Sequence, residues 1–112
     1  MGTPLELTGK QKRHLRALGH HLDPLVQLGK SGLTSGAVRA IDSALGSHEL
    51  VKVKLGTECP EERDDVAGRL APEVSASIAQ TMGRTILLYR RHPKKPVIVL
   101  PSAEPAKKKP AK

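Results

Sequence analysis

The segment from Leu50 to Leu55 alternates apolar and lysine side chains, and this alternation constrains the fold more than any other feature. In an extended chain it places the valines and the final leucine on one face and both lysines on the other, as in a strand with one buried side. The flanking segments instead space their apolar residues by three and four, which is typical of amphipathic helices. Two periods that alternate along 112 residues predict one small α/β domain.

Seven elements are expected, in the order helix, strand, helix, strand, helix, strand, strand. Thr8 and Thr34 are suitable N-caps for the first two helices. Pro72 should kink the third helix or end it near Ala71, because proline lacks the N–H that a helix interior needs. The residues expected to face the core are Leu15, Leu18 and Leu22 in the first helix, Ala37, Val38, Ile41, Ala44 and Leu45 in the second, and Val66, Ala67, Leu70 and Val74 in the third.

Strands are expected at residues 25–28, 50–55, 77–82 and 85–89, and residues 97–100 could add a short edge strand. Strand–helix–strand connections are right-handed and make their two strands parallel. A tight turn at Gly83 and Arg84 makes the last two strands antiparallel. The prediction is therefore a two-layer α/β sandwich with a mixed four-stranded sheet and about three helices.

The charge of the chain indicates a polyanionic partner. The sequence has 19 Lys and Arg against 11 Asp and Glu, a net charge of +8. Tyr89 is the only aromatic residue, so a protein that reads single strands by stacking bases on several rings is excluded. Cys59 is the only cysteine, which excludes an internal disulfide and a multi-cysteine zinc site.

The sequence also bears on location and domain organisation. No apolar run approaches the length of a membrane span, and residues 1–6 lack the pattern of a secretory signal. We therefore expect a cytoplasmic protein with no membrane partner. Residues 101–112 consist mainly of Pro, Ala and Lys and are expected to form a disordered tail after one domain at residues 1–100.

Gly29, Lys30, Ser31 and Gly32 lie between the first predicted strand and the second predicted helix. Two glycines allow a ligand to approach the backbone closely, and the following helix presents free N–H groups at its positive end. A loop of this kind can bind a phosphodiester backbone, as the GXXG loop of KH domains does. The same residues also suit a plain strand-to-helix turn, and taken alone they favour that simpler interpretation.

Lys12, Arg13 and Arg16 give the first predicted helix a basic side. A basic helix face is often only solvated, but here the charge has a single sign and the glycine loop follows closely. Lys52 and Lys54 either extend this surface or lie on a separate exposed face of the sheet. The candidate polyanion-binding residues are thus Lys12, Arg13, Arg16, Gly29, Lys30, Ser31, Gly32, Lys52 and Lys54.

The sequence contains no recognisable catalytic arrangement. The residues Gly29, Lys30 and Ser31 match the end of a Walker A motif, but Pro24 stands where that motif needs its first glycine. The histidines lack the spacing of a metal-binding pair, and Cys59 lies among acidic residues that disfavour a thiolate. We expect no enzymatic activity, no metal, no cofactor and no small-molecule substrate.

Four segments together resemble the CRM domain (chloroplast RNA splicing and ribosome maturation), specifically the stand-alone bacterial YhbY family. They are LTGKQKRHLRAL at residues 7–18, PLVQLGKSGLT at 24–34, HELVKVK at 48–54 and GRTILLYR at 83–90. Each segment is weakly specific by itself. Their order and spacing over about residues 5–100 are those of the family, so the combination is specific.

The resemblance implies an α/β fold related to the C-terminal domain of bacterial translation initiation factor three. It also implies RNA binding through the loop at residues 29–32 and the adjoining basic residues Lys12, Arg13 and Arg16. Single-domain bacterial members are similar to factors that associate with precursors of the large ribosomal subunit. The implied partner is therefore rRNA, bound by a monomer, and RNA contact becomes the favoured interpretation of the glycine loop.

Two other functions remain open at this stage. One is a nucleoid-type DNA-binding protein in which the basic tail dominates, and the other is a protein-interaction module that uses the acidic third helix. Under the RNA interpretation, Gly32→Asp or Lys30→Glu should weaken RNA binding and leave thermal unfolding nearly unchanged.

Overall fold

The computed structural model describes residues 7–92, 94, 96 and 98. These residues form three helices and four strands in the predicted order, and the elements are α1 (Gly9–Gly19), β1 (Val26–Leu28), α2 (Ser35–His48), β2 (Leu50–Leu55), α3 (Arg63–Glu73), β3 (Ser77–Met82) and β4 (Thr85–Tyr89). The predicted edge strand at 97–100 falls outside the described residues except for Ile98, and the predicted tail at 101–112 falls outside them entirely.

The four strands form one mixed sheet in the order β1-β2-β4-β3. β1 is parallel to β2, and β4 runs antiparallel to both of its neighbours. Gly83 supports the β3–β4 turn with a φ of 59°, a conformation that favours glycine. The prediction of three helices with a mixed four-stranded sheet is confirmed.

Helices cover both faces of this sheet. α2 and α3 pack on one face around residues that include Ile41, Val53 and Leu88. Leu15 of α1 packs on the other face, against residues that include Leu87. The layers are thus α1, the sheet, and α2 with α3, whereas the sequence predicted two layers. The third layer is needed because residues 86–89 of β4 place apolar side chains on both faces of the sheet. Helices must therefore cover both faces.

The face of α1 that contacts the sheet differs from the prediction. Gln11, Leu15 and Gly19 are buried at a spacing of four, while Leu18 and Leu22, predicted to be inward, are 39% and 38% exposed. Gly19 explains the difference, because it lets the helix backbone lie against the sheet without an intervening side chain. The buried face of α1 is therefore set by the close contact at Gly19 and not by the spacing of the leucines.

The ends of the helices follow from local chemistry. Thr8 caps α1 in a capping box, with the Thr8 hydroxyl and Gln11 each bonding the other's backbone N–H at 3.1 Å. Thr34 caps α2 by accepting from Ala37 N–H at 3.0 Å. α3 runs to Glu73, two residues past the predicted end. Pro72 lies in its last turn, where it removes one backbone hydrogen bond, and the helix ends one residue later.

Candidate nucleic-acid interface

The loop Gly29–Gly32, here called the GKSG loop, lies at the carboxyl end of β1. Gly32 N–H donates to Gly29 O at 2.9 Å, which closes a four-residue turn with Lys30 and Ser31 exposed at its tip. Gly32 has a φ of 68°, so the turn itself requires glycine there. A Cβ on Gly29 would meet nothing within 4 Å, so this glycine leaves the backbone open to a ligand.

Glu61 connects the GKSG loop to α3. Its Oε1 accepts from Leu33 N–H at 2.7 Å, and its other carboxylate oxygen pairs with Arg69. A Cβ on Gly32 would overlap Oε1 of the same carboxylate. The Glu61 carboxylate therefore fixes the loop at Gly32 and Leu33, whereas Lys30 and Ser31 are exposed.

Glu61 should make stability depend on pH. The hydrogen bond from Leu33, followed by Arg69, holds the pKa of the Glu61 carboxyl below its usual 4.5. A carboxyl whose pKa is lowered by folding stabilises the protein above its unfolded pKa, and this contribution is lost as the pH falls through the folded pKa. We therefore expect Glu61→Gln to lower the midpoint of thermal unfolding at neutral pH, by a margin that shrinks below about pH 4.5.

The measurement is the unfolding midpoint of wild type and Glu61→Gln across the acid range. Glu62→Gln is the matched control, because Glu62 is exposed and makes no side-chain capping bond. A margin that stays constant into strong acid would contradict the assignment of Glu61.

The two glycines of the loop should differ in their effect on stability. Gly32→Ala is expected to cost about 1–2 kcal/mol of unfolding free energy, since alanine must adopt a positive φ against Glu61. Gly29→Ala should change it by less than about 1 kcal/mol. Urea denaturation measures both values, and equal costs would contradict this geometry. Gly32→Asp should therefore also lower stability, which leaves Lys30→Glu as the variant that tests the loop tip alone.

Lys12, Arg13 and Arg16 lie exposed on α1. Within the described part of the chain their side chains make no hydrogen bond or ion pair with protein. Their charges are therefore available to a ligand, as is that of Lys30.

Four other arginines are held by the protein, and the first of them, Arg63, pairs with Asp64 at 3.0 Å. Arg84 donates to the carbonyl oxygens of Leu55 and Gly56 at 3.0 and 2.6 Å. Arg90 pairs with Asp42 at 2.6 Å, and Arg69 pairs with Glu61. These arginines have structural roles, whereas the cations of α1 and of the loop tip are among those with no partner in the described part of the chain.

Lys52 and Lys54 lie on the α1 face of the sheet, since the valines that alternate with them face α2 and α3. Lys54 is registered with Gln27 of β1, two residues before Gly29. Strand spacing puts the Cα atoms of Lys54 and Gly29 about 8 Å apart. Lys52 lines the same groove as Arg13 and Arg16. Both lysines therefore extend the surface of α1 toward the loop.

This groove, the basic groove, lies between α1 and the exposed part of the sheet. Its volume is about 570 Å³, and its polar lining includes Arg13, Arg16, His20, Lys52, Gln80 and Thr85. A β-bulge between Ile78 and Gln80 shifts the alternation of β3. Gln80 and Met82 therefore face the groove in place of Thr81. No local sequence pattern marks Gln80, Met82 or Thr85 as residues of this groove.

The described residues contain no group of three or more His, Cys, Asp or Glu side chains that could hold a metal ion. None of the helices formed by residues 7–92 has the length and apolar character of a membrane span.

Known proteins are similar to this chain in sequence and in fold. "Probable RNA-binding protein YqeI" of Bacillus subtilis is 42% identical over 95 residues, which cover 85% of this chain and 99% of that protein. An "RNA-binding protein" of Haemophilus influenzae is 42% identical over 84 residues, 75% of this chain and 85% of that protein. The solution structure of the hypothetical protein SAV1595 from Staphylococcus aureus superposes with a TM-score of 0.74 at 35% identity and covers 86% of this chain and 100% of that one.

A family model matches the chain over the same region. Residues 7–90, which include every helix and strand described above, match the model of the CRS1 / YhbY (CRM) domain. The match begins beside the cap of α1 and ends just after β4, so it spans the GKSG loop and the groove. On this match, and on the alignment that covers 99% of the Bacillus subtilis protein, the chain belongs to the CRS1/YhbY (CRM) domain family.

Proposed function

We propose that this chain binds RNA, and specifically rRNA in precursors of the large ribosomal subunit, through the GKSG loop and the cations beside it. It acts as a cytoplasmic monomer without catalytic activity. The observation that carries the proposal is the group of cations on α1, the loop tip and the α1 face of β2, which have no partner within the described part of the chain. Relatives named as RNA-binding proteins support RNA as the polyanion, and the family resemblance supports the ribosome as its source.

The loop geometry favours contact with the RNA backbone. Lys30 supplies a charge at the tip, and Gly29 leaves room for a phosphate against the main chain. Glu61 already occupies the N–H of Leu33 and repels anions from that side of the loop. A phosphate should therefore bind at Lys30 and Ser31, on the side away from α3. Contacts of this kind recognise the shape of folded RNA and need no aromatic rings.

The test of the proposal has two parts. A labelled rRNA hairpin bound to the full chain is competed with unlabelled hairpin or with duplex DNA of equal length at matched salt. The tagged chain is then followed through a sucrose gradient of cell extract. We expect RNA to compete better and the chain to sediment with large-subunit precursors. Stronger competition by DNA, or an absence from the precursor fractions, would contradict the proposal.

Deletion of residues 102–112 separates the domain from the tail. The deleted segment contains four lysines, so affinity should fall and the slope of log affinity against log salt should decrease by roughly 3 in magnitude. The preference for RNA over DNA should remain, because it depends on the domain. Loss of all preference would instead favour the DNA-binding alternative.

A further inference from the structure

The basic groove has a composition that phosphate contact alone does not require. Its sheet side includes the buried Leu87 and the exposed Met82, and its α1 side includes Ala17. Thus apolar surface lies directly beside the cations Arg13 and Arg16. A surface that contacts only phosphates would have no use for this apolar component.

The groove also offers hydrogen-bonding groups at its apolar surface. Gln80 Nε2 donates to the sulfur of Met82 at 3.9 Å, and a thioether is a weak acceptor. Releasing this amide to a ligand therefore costs little. The Gln80 amide and the Thr85 hydroxyl can each donate and accept, which matches the mixed donors and acceptors on the edge of a nucleobase.

The charge of the groove selects its occupant. Arg13, Arg16 and Lys52 line it, and among the residues that the structure describes no acidic side chain does. The Lys-rich residues 101–112 of this chain would be repelled from it. The volume of about 570 Å³ falls within the range of sites that hold a group of small-molecule size. An anionic ligand with a flat, partly apolar body fits these properties.

We propose that the basic groove binds one unpaired nucleotide of the RNA. The base lies against Met82 and Leu87 with its edge toward Gln80, and its flanking phosphates contact the cations. Arginine guanidinium planes can stack on a base where aromatic rings are lacking. A paired base cannot enter the groove, so the site selects RNA with a bulged or looped-out nucleotide. This inference rests on the proposed function.

The test compares three hairpins with one stem sequence. The first carries a single-nucleotide bulge, the second has an abasic site at the bulge, and the third is fully paired. Wild type should bind the bulged hairpin about fivefold to tenfold more tightly than the paired one. This ratio corresponds to the lower part of the free-energy range for stacking one base on a protein side chain. The abasic hairpin should bind within about twofold of the paired one.

Two variants locate the base in the groove. Ala17→Leu places a larger side chain in the groove from the exposed face of α1. It should abolish the preference, so that the bulged and paired hairpins bind with about equal affinity. Gln80→Ala leaves the groove open and should reduce the preference about threefold. Ala40→Leu makes the matched substitution on the exposed face of α2 and should retain the full preference.

The outcomes distinguish this inference from the function beneath it. Failure of wild type to bind any of the hairpins overturns the proposed function and the inference with it. Equal binding of all three hairpins by wild type overturns the inference alone. A full bulge preference in both Ala17→Leu and Gln80→Ala also overturns it, since the base would then bind elsewhere.

Discussion

Reversing two charges on α1 in the variant Arg13→Glu/Arg16→Glu is expected to weaken RNA binding about 100-fold at physiological salt. Each arginine that contacts a phosphate contributes roughly fivefold through counterion release, and each introduced glutamate adds repulsion. Neither side chain makes a bond to the described part of the protein, so the midpoint of thermal unfolding should stay within about 2 °C of wild type. Fluorescence anisotropy with a labelled rRNA hairpin measures the affinity.

The matched control for this prediction is Arg91→Glu/Lys94→Glu. It changes the net charge by the same amount, and both residues are exposed after β4, away from the end of the sheet that carries the loop. Its affinity should fall less than about fivefold, through the general field alone. An equal loss in both double variants would show that net charge dominates, and it would contradict the assignment of α1.

Gly19→Val is expected to have the largest effect on stability, a loss of about 2–3 kcal/mol in the free energy of unfolding. A Cβ at Gly19 would lie 2.7 and 2.9 Å from the two methyl carbons of Leu87, which is itself buried. Either α1 must move off the sheet or Leu87 must leave its position in the core. Urea denaturation of the variant measures this cost.

Two further variants separate close packing from backbone effects. Gly68→Val places the same side chain in α3, where a Cβ meets nothing within 4 Å, and should change stability by less than about 1 kcal/mol. The double variant Gly19→Val/Leu87→Ala should lose less than the sum of its single variants, by about 1 kcal/mol or more. Additive costs would show that the contact between α1 and Leu87 does not set the position of the helix.

The predictions from sequence succeeded where an element has one apolar face. α2 and α3 each bury one regularly spaced set of side chains, and Val51, Val53 and Leu55 form such a set in β2. Their periodicity therefore identifies both the element and its inner face. In α1 the contact depends on Gly19, which carries no hydrophobic signal, and the exposed Leu18 was therefore assigned inward. In β4, residues 86–89 are buried on both faces of the sheet, and the prediction of two layers left one of these faces without a helix to cover it.

In the candidate site, too, some features follow from local sequence and others depend on long-range contacts. The position of the GKSG loop follows from local sequence, because glycines and a helix cap are local signals. The contact of Glu61 with Leu33 joins residues 28 positions apart, and no local pattern reports it. Gln80 and Met82 face the groove only because a bulge interrupts β3, and simple alternation would place Thr81 there. The features of the site that could not be predicted from sequence thus depend on long-range packing and on an irregularity in a strand.

Titration of the ¹⁵N-labelled chain with an rRNA hairpin, followed by NMR, tests most directly where RNA binds. We expect the largest shifts at the amides of Gly29–Gly32, at Arg13 and Arg16 of α1, and at Lys52 of β2. The amides of Asp64 and Asp65, at the acidic start of α3, should shift little. Largest shifts in α3, with the loop and α1 unchanged, would contradict RNA binding by the basic surface.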